Sequence, residues 1–136
     1  MPFWYRVFAC QYCRKIIEYR HMSDLKILTD KILAFINERD WGQFMKPKDI
    51  AISLSLEASE VLEKFQWKNE EEFKKYLQLH KEDLADELAD VLVYLIELAH
   101  YTDINLLEAT EKKIVKNAVK YPVEKARGKN TKYTDL

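Results

Sequence analysis

Only two glycines and three prolines punctuate this 136-residue chain, and that scarcity is the tightest constraint on its fold. Hairpins and tight turns draw on Gly, Asn-Gly and Pro-containing pairs. A chain with so little turn chemistry, dominated by Leu, Ile, Ala, Glu and Lys, suits long helices with short connections. The expected class is all-α. From Ser23, which can cap, Leu25, Leu28, Ile32, Leu33, Phe35 and Ile36 recur at helical spacing until Asn37. Gly42 with its aromatic neighbours Trp41 and Phe44 marks a connecting loop, and Pro47 suits the first turn of a second helix. On that helix Ile50, Val61, Leu54, Phe65, Ala58, Ala51 and Leu62 form one arc expected to face a core. Ile52 and Leu56 lie on the far side as a second apolar patch fit for a subunit interface. Trp67 closes the helix. Asn69 before Glu70, Glu71 and Glu72 reads as a cap opening a short helix or loop to Leu79. A third helix is predicted over about Lys81 to Tyr101, with Leu84, Leu88, Val91, Leu92, Leu95, Leu98 and Ala99 on its apolar arc. Asp103 or Asn105 can cap a fourth, carrying Leu106, Leu107, Ile114 and Val119, until Pro122 stops it. The tail from Val123 is basic and poorly periodic. Four helices without a strand pattern predict a four-helix bundle, and a chain of this size commonly gains stability by self-association, so a homo-oligomer is expected.

Lysine and arginine total 22 against 23 acidic residues, a net charge of −1 that offers no global field for a nucleic-acid polymer or an anionic membrane. No apolar run approaches the roughly 20 residues needed to span a bilayer. Residues 1–21 lack the apolar core and small-residue cleavage site of a secretory signal, which points to a cytoplasmic protein. They are expected to be an extension outside the core, with one domain over 22–136. Cys10 and Cys13 form an isolated Cys-x-x-Cys; even with His21 they fall short of the four ligands of a structural zinc site.

Glu57-x-x-Glu60 on the second helix and Glu87-x-x-Asp90 on the third each place two carboxylates on adjoining turns of one face. The same spacing occurs at Glu60 and Glu63, Asp83 and Asp86, and Glu108 and Glu111, so spacing alone decides nothing. Environment separates the first two pairs. Glu57 and Glu87 fall at the margins of the apolar arcs, and Val61, Val91 and Tyr94 stand where a helical salt-bridge partner of Glu57, Glu87 and Asp90 would be. Only Glu60 has such a partner, Lys64, four residues on. Half-buried carboxylates facing one another cost free energy that a divalent ion with oxygen ligands removes, and Mg2+ shared with substrate phosphates fits that role. The competing reading is a helical interaction module whose acidic faces are solvated.

Taken in order, Glu38-Arg39-Asp40-Trp41-x-Gln43-Phe44-x-x-Pro47, Glu57-Ala58-Ser59-Glu60, Phe65-Gln66-Trp67, Glu87-Leu88-Ala89-Asp90-Val91-Leu92-x-Tyr94-Leu95, Asn117 and Lys120-Tyr121-Pro122 resemble the MazG-like nucleotide pyrophosphohydrolases, particularly their dCTP pyrophosphatase branch. The gap of 26 residues between Glu60 and Glu87 adds to the specificity of the match. The resemblance implies an all-α enzyme that splits a nucleoside triphosphate into the monophosphate and pyrophosphate, a house-cleaning or pool-control activity. It implies Glu57, Glu60, Glu87 and Asp90 as ligands of Mg2+, with Mn2+ as the substitute ion. Glu63 would assist a second ion or orient water, or else be an ordinary solvated glutamate. Trp41, Phe44, Trp67 and Tyr94 match positions lining the base pocket, although Phe44 could equally be core. Lys113, Asn117, Lys120 and Tyr121 match residues on the phosphate side, where the lysines would otherwise be a wet helix end. Dimers and tetramers occur in the family. Two departures stand out: Met45 occupies a position where the dCTP branch commonly has His, and Leu56 precedes Glu57 where many MazG proteins have a second Glu. The first bears on base preference and the second agrees with the dCTP branch, so a deoxynucleotide is expected, cytosine first and adenine next.

Overall fold

The computed structural model describes residues 24–135, and among them every regular element is helical. The chain divides into two compact units, Met1–Met45 and Lys46–Leu136. The expected cap at Ser23, the domain start at Met22 and the Cys10, Cys13 and His21 group lie outside the described residues.

In the first unit, α1 (Asp24–Glu38) buries Ile32 and Ile36, one turn apart, as the apolar spacing predicts. It ends where Asp40 enters the left-handed region at φ 52°, which an Asp tolerates because its short side chain can bond locally. Gln43 braces that turn, donating from Nε2 to the Asp40 carbonyl at 3.0 Å and to its carboxylate at 3.1 Å. The predicted loop is therefore an ordered 3-10 turn, Trp41–Phe44. Trp41 meets Phe35 edge-on with centroids 5.8 Å apart, and the Arg39 guanidinium lies 3.7 Å from the Phe35 centroid.

In the second unit, α2 (Pro47–Phe65) starts with Pro47 in the first turn, as its missing N–H and fixed φ favour. Its end is unusual: the Gln66 N–H donates to the Leu62 and Glu63 carbonyls, and Trp67 follows at φ 63°. That is the position where helices usually place Gly. Asn69 then builds a complete capping box: the Glu72 N–H donates to Asn69 Oδ1 at 3.0 Å, and the Asn69 N–H donates to Glu72 Oε2 at 2.8 Å. From it runs α3 (Glu70–Tyr101), whose backbone departs from helical values at His80. The short helix expected before Leu79 and the third helix from Lys81 are thus one helix with a kink between them. Before the kink, Phe65, Phe73, Tyr76 and His80 stack in series at 4.1, 6.0 and 4.9 Å and tie the end of α2 to the start of α3. Of the two candidate caps for α4 (Leu106–Lys120), Asn105 serves, its Oδ1 accepting from the Glu108 N–H at 3.1 Å, while Asp103 takes a left-handed turn. The tail departs from the expected irregularity with a short α5 (Val123–Ala126) and a 3-10 turn at Tyr133–Asp135.

Packing of α2 on α3 organises the second unit. Ile50, Ile96 and Ala99 are buried, and each isoleucine contributes roughly 1.5–3 kcal/mol by leaving water. The predicted core arcs are wider than this packing covers. Leu62 and Phe65 on α2, Leu88, Leu92 and Leu95 on α3, and Leu107, Ile114 and Val119 on α4 all remain exposed, as do Ile52 and Leu56 on the predicted second patch. One neighbouring helix covers one stripe of another, so arcs of this width need further partners.

Candidate metal centre

The two helices that pack together bring three of the predicted carboxylates to one place. Oxygens of Glu57 on α2 and of Glu87 and Asp90 on α3 all lie within 4.8 Å of one another, a grouping able to hold a metal ion. Three-residue spacing puts Glu87 and Asp90 on adjoining turns of α3, and Glu57 faces them because it sits at the edge of the packed arc of α2. Glu57 and Glu87 are half-buried and Asp90 is exposed. Electrostatics register the crowding: loss of hydration raises the Glu57 carboxyl above its ordinary value, and the negative charges of Glu60, Asp90 and Glu87 raise it further. An all-oxygen donor set carrying several negative charges suits a hard divalent cation.

Glu60 lies one turn beyond Glu57, exposed, outside the trio but near enough to repel the Glu57 charge. Glu63 is exposed at the end of α2. Lys64, expected to pair with Glu60 along the helix, instead reaches across to α3. Its Nζ lies 2.8 Å from Glu87 Oε1, with side-chain exposures of 25% and 16%. Helical spacing permits the Glu60 pair; packing of α3 against α2 offers a less hydrated one, and the hydrogen bond to Glu87 raises the Lys64 ammonium above its ordinary value.

The remaining predicted residues are distributed more widely. Tyr94 stands one turn after Asp90 and is half-buried. Trp67 is 90% exposed. Trp41 and Phe44 belong to the first unit, the former set against Phe35 and both exposed. Lys113 and Asn117 are exposed on α4. Lys120 and Tyr121 gather at Tyr133, the Lys120 ammonium 4.9 Å from its ring centroid and Tyr121 edge-on at 5.9 Å. Sequence reasoning missed Glu97, which is only 5% exposed and has an Oε2 with no hydrogen-bond partner. The available signal was a lone charge inside the apolar run from Val91 to Ala99.

A left-handed tryptophan with nearly its whole surface in water gains little from folding. The positive φ of a residue with a Cβ costs about 1–2 kcal/mol. Trp67→Gly is therefore expected to leave the urea midpoint unchanged or raised.

The MazG-like family profile matches residues 52–136. The chain is 41% identical over 104 residues to dCTP pyrophosphatase 1 of Mus musculus, an alignment covering 75% of this chain and 61% of the mouse protein. Against dCTP pyrophosphatase 1 of Homo sapiens it is 38% identical over 104 residues, again 75% of this chain and 61% of that protein. The chain thus spans about three fifths of the length of these relatives. A crystal structure of a pyrophosphatase from Archaeoglobus fulgidus matches with a TM-score of 0.70 at 38% identity, covering 75% of this chain and 95% of that one.

Proposed function

Because the chain belongs to the MazG-like family, we propose that it is a nucleoside triphosphate pyrophosphohydrolase, converting a deoxynucleoside triphosphate, dCTP first, to the monophosphate and pyrophosphate. The observation that carries this reading is the convergence of Glu57, Glu87 and Asp90 within 4.8 Å from two packed helices. Relatives named dCTP pyrophosphatase support the substrate class. Glu57, Glu87 and Asp90 would hold Mg2+, or Mn2+ in its place, with Glu60 joining from the next turn. A divalent ion held there would supply Lewis acidity toward phosphate oxygens and would make water acidic enough to serve as nucleophile at neutral pH. In this reading Glu63 orients the water. Within the second unit Trp67 and Tyr94 offer aromatic faces to the base, and Lys113, Lys120, Asn117 and Tyr121 meet the leaving pyrophosphate, the lysines as point charges. The catalytic domain is 22–136, working in the cytoplasm in control or cleansing of the nucleotide pool. Among the described residues no helix is long and apolar enough to cross a membrane.

The bundle is completed by further copies of the chain. Exposed Ile52 and Leu56 on α2 and exposed Ile114, Val115 and Val119 on α4 are apolar surface that a monomer gains by covering. Light scattering is expected to return a dimer or tetramer, and a strictly monomeric species at micromolar concentration contradicts this.

The direct test is pyrophosphate release from a panel of ribo- and deoxynucleoside triphosphates with Mg2+. Release ranked with dCTP first is expected. A different base at the head of the ranking would revise the specificity, and no release from any triphosphate would overturn the function.

A further inference from the structure

We propose that Lys64 is a built-in counter-ion that keeps the bare carboxylate site weak for metal and makes tight seating of the ion depend on the nucleotide's own phosphates; this rests on the pyrophosphohydrolase reading above. Three carboxylates crowd within 4.8 Å, and among the described residues the positive group bonded to them is the Lys64 ammonium, 2.8 Å from Glu87 Oε1. The pair joins α2 to α3 and is largely shielded from water, with exposures of 25% and 16%, so its charge is screened less than that of a surface lysine. A divalent ion entering at Glu87 meets a positive charge one ligand away, and like charges a few ångströms apart at a half-buried site repel appreciably. A nucleoside triphosphate brings several negative charges to the same place. Lys64 then has a phosphate to face, and its repulsion of the metal is offset. The lysine thus discriminates against free metal and in favour of the metal–nucleotide pair. It is a positioning residue, acting through Glu87 and through charge.

Lys64→Met removes the charge while keeping a long apolar stem, and Lys64→Arg keeps the charge. Calorimetric titration of the full chain with Mn2+ alone, and then with a non-hydrolysable α,β-imido deoxycytidine triphosphate in the presence of Mg2+, reads both halves of the claim. The expected result for Lys64→Met is about tenfold tighter binding of bare Mn2+ together with about tenfold weaker binding of the nucleotide analogue, while Lys64→Arg stays within about twofold of the parent in both titrations. A merely structural lysine would not move the two affinities in opposite directions. Mn2+ affinity in Lys64→Met that is unchanged or weaker overturns the proposal. Should the parent chain take up no Mn2+, or take it up as well after Glu57→Gln, the carboxylate site itself is wrong and the role of Lys64 falls with it. That outcome is separable, because it appears in the parent and Glu57→Gln titrations before Lys64 is considered.

Discussion

Glu57→Gln is expected to abolish metal-dependent turnover, lowering kcat/KM by at least about a hundredfold, while the metal-free protein becomes slightly more stable. The first effect follows from removing one of three converging carboxylates; even outer-shell partners of metal sites are worth ten- to a hundredfold. The second follows from the electrostatics of the carboxylates when EDTA withholds metal. Dehydration and the neighbouring charges of Glu60, Asp90 and Glu87 raise the Glu57 carboxyl in the folded chain above its ordinary value of 4.5. A carboxyl raised on folding favours the folded state below its ordinary value, and that contribution is lost as pH rises through the raised value. At neutral pH the ionised Glu57 therefore works against the fold, and glutamine relieves it. Solvent screening at a half-exposed site keeps the gain under about 1 kcal/mol. Urea denaturation in EDTA at pH 7 and pH 4 measures it, with the difference between parent and variant shrinking at the lower pH. A variant that is less stable in EDTA would show that the carboxylates are not in conflict.

Glu97→Leu is expected to stabilise the chain by about 1–3 kcal/mol at pH 7, the usual penalty of a buried polar group left unsatisfied. Glu97 lies in the apolar run of α3 beside the buried Ile96, with one oxygen lacking a partner, and burial raises its carboxyl above the ordinary value. The sign is the same as for Glu57: below the ordinary carboxyl range the group is neutral in both folded and unfolded chains, so the advantage of leucine narrows on acidification and widens toward neutrality. Leucine matches the volume of the glutamate stem, so overpacking is small. Equilibrium unfolding in EDTA at pH 7 and pH 4 checks both points; a destabilised Glu97→Leu would mean that the carboxyl has a partner it depends on.

These two residues also mark what can and cannot be read from the chain. Some helix limits were legible because they are written locally: Pro47 opens α2, Asn105 is one of the two expected caps of α4, and Pro122 ends it, whereas the cap at Asn69 was legible but not the continuity of α3 through His80. Glu57, Glu87 and Asp90 were legible as candidates because helical spacing fixes which face a residue takes, and their meeting requires only that the two faces pack. What depends on choice among several partners was not legible. Lys64 has Glu60 four residues before it and Glu87 across the helix pair, and only the packing of α3 on α2 selects Glu87. Burial of Glu97 is likewise set by neighbours beyond its own helix, since local patterning places a lone glutamate on a wet edge as readily as inside. Leu62, Leu88 and Ile114 lie on faces expected to be covered and remain exposed; hydrophobicity says that a face gains by being covered without saying by which chain.

Hydrolysis at the carboxylates that α2 and α3 bring together, as proposed, cuts a triphosphate between its α and β phosphorus atoms. Phosphorus-31 NMR of dCTP incubated with the full chain tests it most directly, with Mg2+ in one sample and excess EDTA in the other. Monophosphate and pyrophosphate resonances are expected to grow in the Mg2+ sample, with an unchanged triphosphate spectrum in EDTA. Diphosphate with inorganic phosphate, or equal turnover in both samples, would contradict it.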